Sequence, residues 1–118
     1  MAEYPLLLRG GDGPRRAGEE VSPAELQAYL APYRDWLAEL TRDGALRSAR
    51  RLDADGSKTL RRDAGEVAVL DGPYTESKDI VGGFYLIAVA TEAEAVEIAR
   101  RCPHLANGGT VELRPAFA

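Results

Sequence analysis

Residues 71–85 read DGPYTESKDIVGGFY and hold the densest mixture of turn formers, charged side chains and aromatics in the chain. An apolar strand candidate, residues 66–70, leads into this segment, and a second, residues 83–90, leads out of it. A polar segment with fixed turn chemistry between two core strands is where a small domain commonly places its site. The sequence therefore predicts that the functional site includes this segment.

Two helices are marked by their capping residues. Ser22-Pro23-Ala24-Glu25 is a capping box with proline at the first helical position, and Thr91-Glu92-Ala93-Glu94 is a second box. Apolar residues follow each box at helical spacing, and Gly44 and Pro103 end the two patterns. Pro32 lies inside the first pattern, where it removes one backbone hydrogen bond, so we expect a kink or a break there.

The other apolar segments predict strands, and their order predicts the fold. The candidates are residues 4–8, 46–52, 83–90 and 110–113, with a hairpin formed by residues 59–62 and 66–70. Two strand–helix–strand crossovers joined by a hairpin make a ferredoxin-like α+β sandwich, βαβ-hairpin-βαβ. Its sheet is antiparallel and, because the crossovers are right-handed, both helices lie on one face. We expect a single domain over residues 1–118.

The strand at residues 83–90 is apolar on both faces. One face carries Phe84, Leu86 and Ala88, and the other carries Tyr85, Ile87 and Val89. Because two helices cover only one face of a four-stranded sheet, a monomer would leave one of these sets in water. A twofold dimer that packs sheet on sheet would bury it, so we expect a homodimer.

Composition excludes several classes of protein. The chain has 45% hydrophobic and 29% charged residues, which is typical of a soluble globular domain. It has no apolar run near the roughly 20 residues of a membrane span and no signal-peptide pattern. The net charge of −4 argues against a general nucleic-acid binder. The single cysteine, Cys102, fits a reducing compartment, so we expect a cytoplasmic protein. Residues 10–21 offer almost nothing to bury and are expected to be the least ordered internal loop.

Several motifs carry a family resemblance. Asp71-Gly72-Pro73-Tyr74 resembles the DGPF signature, with tyrosine where phenylalanine is usual. VGGFY at 81–85, AVEIA at 95–99, CPH at 102–104 and GGTVELRP at 108–115 follow at the spacing of the YCII-related, DGPF-domain proteins. The chain resembles this family over nearly its whole length.

The resemblance implies a dimeric α+β barrel of ferredoxin-like subunits, in the superfamily of muconolactone isomerase and small dehydrochlorinases. It implies no assigned reaction for most members, and it suggests a link to extracytoplasmic-function sigma factors for some of them. One departure concerns the histidine–aspartate pair of YCII proteins proper, whose histidine lies near the start of the first helix. This chain has Pro23-Ala24-Glu25-Leu26 there, and its single histidine is His104, so the pair is not carried over.

Two carboxylates are the candidate catalytic residues. Asp71 ends a strand candidate, where it can act as a base or can simply accept backbone hydrogen bonds in an Asx-type turn. Glu76 becomes a candidate if its loop folds over the mouth of the barrel and is otherwise a solvated charge.

Four residues are candidates for ligand binding: Arg9, Tyr74, Lys78 and Tyr85. The two cations would hold an anionic ligand, although a solvated arginine or lysine explains them as well. The aromatic rings would line a pocket. We expect no metal and no cofactor, because Cys102 and His104 alone cannot complete a tetrahedral zinc site.

Two functions remain open. The first is a dimeric YCII-related domain that binds a small molecule or takes part in sigma-factor-associated regulation, which the missing dyad histidine favours. The alternative is an isomerase or lyase-type enzyme that transfers a proton on a small anionic organic substrate, which the polar segment at residues 71–85 favours.

Overall fold

The computed structural model describes residues 1–13, 20–53, 55–73 and 79–117. Half of the segment expected to have low order, residues 14–19 of residues 10–21, lies outside this part of the chain. Neither helix of the described residues has the length and apolar character needed to cross a bilayer. In chain order the elements are β1 (Ala2–Gly10), α1 (Pro23–Arg42), β2 (Leu46–Arg51), β3 (Lys58–Asp63), β4 (Glu66–Asp71), β5 (Val81–Val89), α2 (Glu92–Arg100), a 3-10 helix (Pro103–Leu105) and β6 (Gly109–Leu113).

Four strands form one antiparallel sheet in the order β2-β5-β1-β6, and β3 and β4 form a separate hairpin. Because β1 and β2 both run antiparallel to β5, α1 is a crossover between two parallel strands, and α2 is the equivalent crossover between β5 and β6. This is the ferredoxin-like topology, so the predicted fold class is confirmed.

Helix α1 begins at its predicted cap, where the Ser22 hydroxyl accepts a hydrogen bond from the backbone N–H of Glu25 at 3.1 Å. The helix is continuous through Pro32 over its 20 residues, so of the kink or break expected there, the break was wrong. Pro32 is exposed, and the carbonyl that loses its partner can bond to water on the outer side of the helix. Gly44 adopts a φ of +73° and ends the helix with two backbone bonds, the second from Ala45 to the Leu40 carbonyl.

The core lies between the two helices and one face of the sheet. Tyr85, Ile87 and Val89 of β5 face it, together with alternate residues of β1. Trp36, which the helical pattern places at the edge of its apolar stripe, is only 3% exposed, because its ring packs against that of Tyr85 with centroids 4.6 Å apart.

The other sheet face carries no helix. Leu7 pairs with Phe84 and Pro5 with Leu86 across β1 and β5, so these four side chains share that face, and all four are half-buried. The two-sided apolar character predicted for β5 is therefore present, with Tyr85 and not Phe84 on the core side.

Candidate functional site

A cavity of about 450 Å³ opens between α1, the helix-covered face of the sheet, and the chain just after β1. Leu8, Gly83 and Leu37 form part of its apolar wall. Its lining also includes three tyrosines and three arginines: Tyr29, Tyr33, Tyr85, Arg34, Arg50 and Arg51. A concave site of this size with a few convergent polar groups is typical of small-molecule binding.

His104 closes one end of the cavity. The residue is 7% exposed, and both ring nitrogens have partners. Nδ1 lies 3.0 Å from the Tyr33 hydroxyl, and Nε2 lies 3.0 Å from the backbone carbonyl of Arg9. The imidazole therefore joins α1, the end of β1 and the 3-10 helix.

Two glycines make room for the imidazole of His104. A Cβ built on Gly11 would fall 2.6 Å from its Cε1 atom, and one built on Gly109 would fall 2.2 Å from its Nε2 atom. Real Cβ atoms do not approach other atoms this closely, so the ring occupies a slot that depends on both glycines.

Tyr33 contacts His104 and also lines the cavity. The Asn107 side-chain amide donates a hydrogen bond of 2.9 Å to the Tyr33 hydroxyl, and the ring of Tyr29 lies 5.6 Å away, centroid to centroid. Burial raises the pKa of Tyr33 well above its ordinary value, and the bond from Asn107 offsets a smaller part of that rise. Tyr33 is therefore a neutral hydroxyl at physiological pH.

Tyr85 forms another part of the wall. Burial raises its pKa, the nearby Cys102 thiol raises it further, and Arg51 lowers it. Like Tyr33, it presents a neutral phenol to the cavity. Arg51 pairs with Gly83 and Ala49 with Tyr85 across β2 and β5, which places the Arg51 side chain on the same sheet face as the tyrosine.

The three arginines differ in their partners. Arg34 donates to the Gln27 side-chain amide, and Arg50 donates to the Ala49 carbonyl at 2.6 Å. No described residue forms a hydrogen bond or ion pair with the Arg51 side chain, which leaves its charge available to a ligand. Asp12 also lines the cavity.

The YCII-related domain model matches residues 14–117. The chain belongs to the YCII-related domain family. It is 41% identical over 68 residues to an uncharacterised protein of Rhizobium meliloti (strain 1021), a match that covers 57% of this chain and 55% of the relative. The chain thus spans about half the length of that relative. It is also similar to the solved 5-chloro-2-hydroxyhydroquinone dehydrochlorinase of Burkholderia phenoliruptrix AC1100 in complex with 2,5-dihydroxybenzoquinone. That likeness has a TM-score of 0.42 and 19% identity, over 98% of this chain and 95% of the other.

The three predicted site residues of this YCII-related domain that the structure describes do not meet at one place. Tyr85 lines the cavity. Asp71 pairs with Lys58 at the base of the hairpin, and its side chain is 91% exposed. Arg9 lies on the helix-free face, where its guanidinium is 3.4 Å from the Glu112 carboxylate and donates to the Asp79 carbonyl at 2.8 Å. The three others, Tyr74, Glu76 and Lys78, lie outside the described residues.

Sequence reasoning missed the polar cluster at the end of the cavity. Tyr33 reads as part of an apolar helix face, and its partners His104 and Asn107 follow it by 71 and 74 residues. The one signal in the sequence is that His104 is the chain's single histidine. In the described part of the chain, no group of three or more histidine, cysteine and carboxylate side chains is placed to hold a metal ion.

Proposed function

We propose that this YCII-related domain binds a small organic anion in the cavity between α1 and the sheet. The observation that carries the proposal is the Arg51 guanidinium, which has no partner among the described residues and lies beside the neutral phenol of Tyr85. An unpaired arginine on an aromatic wall is suited to a carboxylate that is attached to a flat, apolar body.

The other predicted ligand contacts belong to a second location. Arg9 lies on the helix-free face, which a sheet-on-sheet homodimer would enclose. We keep Arg9, Tyr74, Lys78 and the carboxylates Asp71 and Glu76 as candidates for a site completed by that dimer. The link to sigma-factor regulation stays a prediction that comes from the family resemblance alone.

Binding is tested by calorimetry with a panel of aliphatic and aromatic monocarboxylates, on wild type and Arg51→Gln. We expect at least one acid to bind, and we expect the substitution to weaken it by about tenfold or more, because a charge-assisted hydrogen bond is lost. Arg47→Gln is the matched control, since Arg47 lies on the same strand and outside the cavity wall. No binding of any acid, or an equal loss in both variants, would refute the proposal.

A second candidate function is proton transfer on such an anion. The observation that favours it is the 3.0 Å contact between the Tyr33 hydroxyl and His104, because a phenol bonded to an imidazole is able to hold and pass a proton. The carboxylates Asp71 and Glu76 stay candidate bases only for the second location, where the dimer would complete a site and Arg9 or Lys78 would hold the substrate. The test is proton NMR of the same acids in D₂O. Catalysis would exchange carbon-bound protons for deuterium, so their signals would disappear faster with the protein than in buffer alone.

A further inference from the structure

One backbone carbonyl fixes the direction of both hydrogen bonds made by the His104 ring nitrogens. The Arg9 carbonyl oxygen can only accept, so Nε2, 3.0 Å away, must carry a proton and donate it. In the neutral imidazole the other nitrogen, Nδ1, then has only a lone pair. The Tyr33 hydroxyl, 3.0 Å from Nδ1, therefore donates its single proton to that nitrogen.

The direction of the Tyr33–His104 hydrogen bond also determines whether the Tyr33 hydroxyl can donate or accept in the cavity. Its proton is committed to His104, and one of its lone pairs accepts the Asn107 amide. Any further group that bonds to the Tyr33 oxygen must donate.

The directions of these hydrogen bonds cannot easily reverse, because they depend on the orientation of the His104 ring. The backbones of Gly11 and Gly109 lie against the imidazole, close enough that a Cβ on either would clash with it. A rotated ring would also place a carbon atom against the Arg9 carbonyl and leave a buried acceptor unpaired. The Tyr33 oxygen is thus held as an acceptor toward the cavity.

We infer that the cavity selects organic anions that also carry a hydroxyl group, that is, hydroxycarboxylates. The Tyr33 oxygen accepts the ligand hydroxyl while Arg51 holds the carboxylate. An ether or carbonyl oxygen in place of the hydroxyl would set lone pair against lone pair, which disfavours binding. This inference rests on the proposed function. It adds that the ligand must donate a hydrogen bond at its second contact, the Tyr33 oxygen.

The test uses size-matched probes, the 3- and 4-hydroxybenzoates and the corresponding fluorobenzoates, measured by calorimetry. We expect wild type to bind at least one hydroxybenzoate about five- to tenfold more tightly than its fluoro partner, as one neutral hydrogen bond predicts. Tyr33→Phe should abolish that preference and leave the fluorobenzoate affinity unchanged. Arg51→Gln should weaken both members of the pair equally.

The outcomes separate the two proposals. If the benzoates bind and hydroxyl and fluorine are equivalent in wild type, the inference is overturned and anion binding stands. If no benzoate binds and the wider acid panel also fails, both are overturned.

A second measurement needs no ligand and no variant. Because His104 is the single histidine, its ring nitrogens give an unambiguous proton–nitrogen NMR spectrum. At alkaline pH, where an imidazole is neutral, we expect the proton on Nε2. A proton on Nδ1 would force Tyr33 to accept there, free the tyrosine proton for the cavity, and overturn the inference.

Discussion

The backbone of Gly109 lies directly against the imidazole of His104, such that a Cβ on the glycine would fall 2.2 Å from Nε2. Gly109 has no positive φ, so its conformation is open to other residues and only space requires glycine there. Because Nε2 also bonds to the Arg9 carbonyl, the start of β6 and the end of β1 are positioned by the same ring.

Substitution of this glycine should be costly. In Gly109→Ala the new methyl group must displace the His104 ring or shift β6, and we expect the free energy of unfolding to fall by about 1–3 kcal/mol. Urea denaturation followed by circular dichroism measures it. Gly82→Ala is the matched control, because Gly82 is also in a strand, has no positive φ and has no atom within 4 Å of its Cβ position. Equal losses in the two variants would contradict the argument.

Local patterns in the sequence carry most of the fold. The two capping boxes and the β5 pattern depend on neighbours within a few residues, and each is found where it was predicted. Pro32 and Trp36 are the exceptions. Continuity through the proline and burial of the tryptophan depend on how α1 packs on the sheet, and that packing is set by residues such as Tyr85, far along the chain.

The residues of the site were harder to predict from the sequence than the fold was. Residues 71–85 carry the DGPF-like motif, and three of the described ones, Gly82, Gly83 and Tyr85, do line the cavity. The cluster of Tyr33 and His104 was not foreseen, since its members are 71 residues apart and meet only when α1 and the 3-10 helix are both in place. A hydrogen bond between residues so far apart in the chain produces no periodic pattern in the sequence.

Cys102 should make stability depend on alkaline pH. Burial raises the pKa of its thiol from 9.0 to about 11, and the His104 backbone offsets part of this rise. Between these values the unfolded chain releases the proton while the folded chain keeps it, so stability is fully present below pH 9.0 and is lost as pH rises to about 11. The loss is about 3 kcal/mol at most.

The measurement is the free energy of unfolding across this range for wild type and Cys102→Ala. Tyr33 and Tyr85, whose pKa values are raised in part by Cys102, also lose stability at alkaline pH in both proteins, so the difference between the two curves reports the thiol together with its effect on the tyrosines. We expect the wild-type curve to fall more steeply. Parallel curves would show that the thiol titrates alike in the folded and unfolded chains.

Asp71→Asn should leave stability nearly unchanged. The Asp71–Lys58 pair is exposed, and the turn after it is held by backbone groups, with Gly72 donating to the Ser57 carbonyl at 2.8 Å. We expect a change within about 0.5 kcal/mol, and the same for Lys58→Met, in thermal unfolding. If Asp71 is the base of a proton-transfer reaction, its substitution would instead lower the exchange rate in D₂O by on the order of a hundredfold, and Lys58→Met would not.

The helix-free sheet face should form a homodimer interface. Leu7, Phe84 and Leu86 share this face, where each is only half-buried within one chain. Stable interfaces bury on the order of 1,000 Å² or more, and the centre of a four-stranded sheet face offers an apolar patch for that purpose. Sedimentation equilibrium at micromolar concentration should give twice the 12.7 kDa chain mass.

A charge at the centre of this face should dissociate the dimer. In Phe84→Asp an unpaired carboxylate would have to be buried between two sheets, which is strongly unfavourable. Leu26→Asp places the same charge on an exposed apolar residue of α1, away from the face, and should leave the dimer intact. The predicted interface is wrong if wild type sediments as a monomer, or if the α1 variant dissociates as readily as the β5 variant.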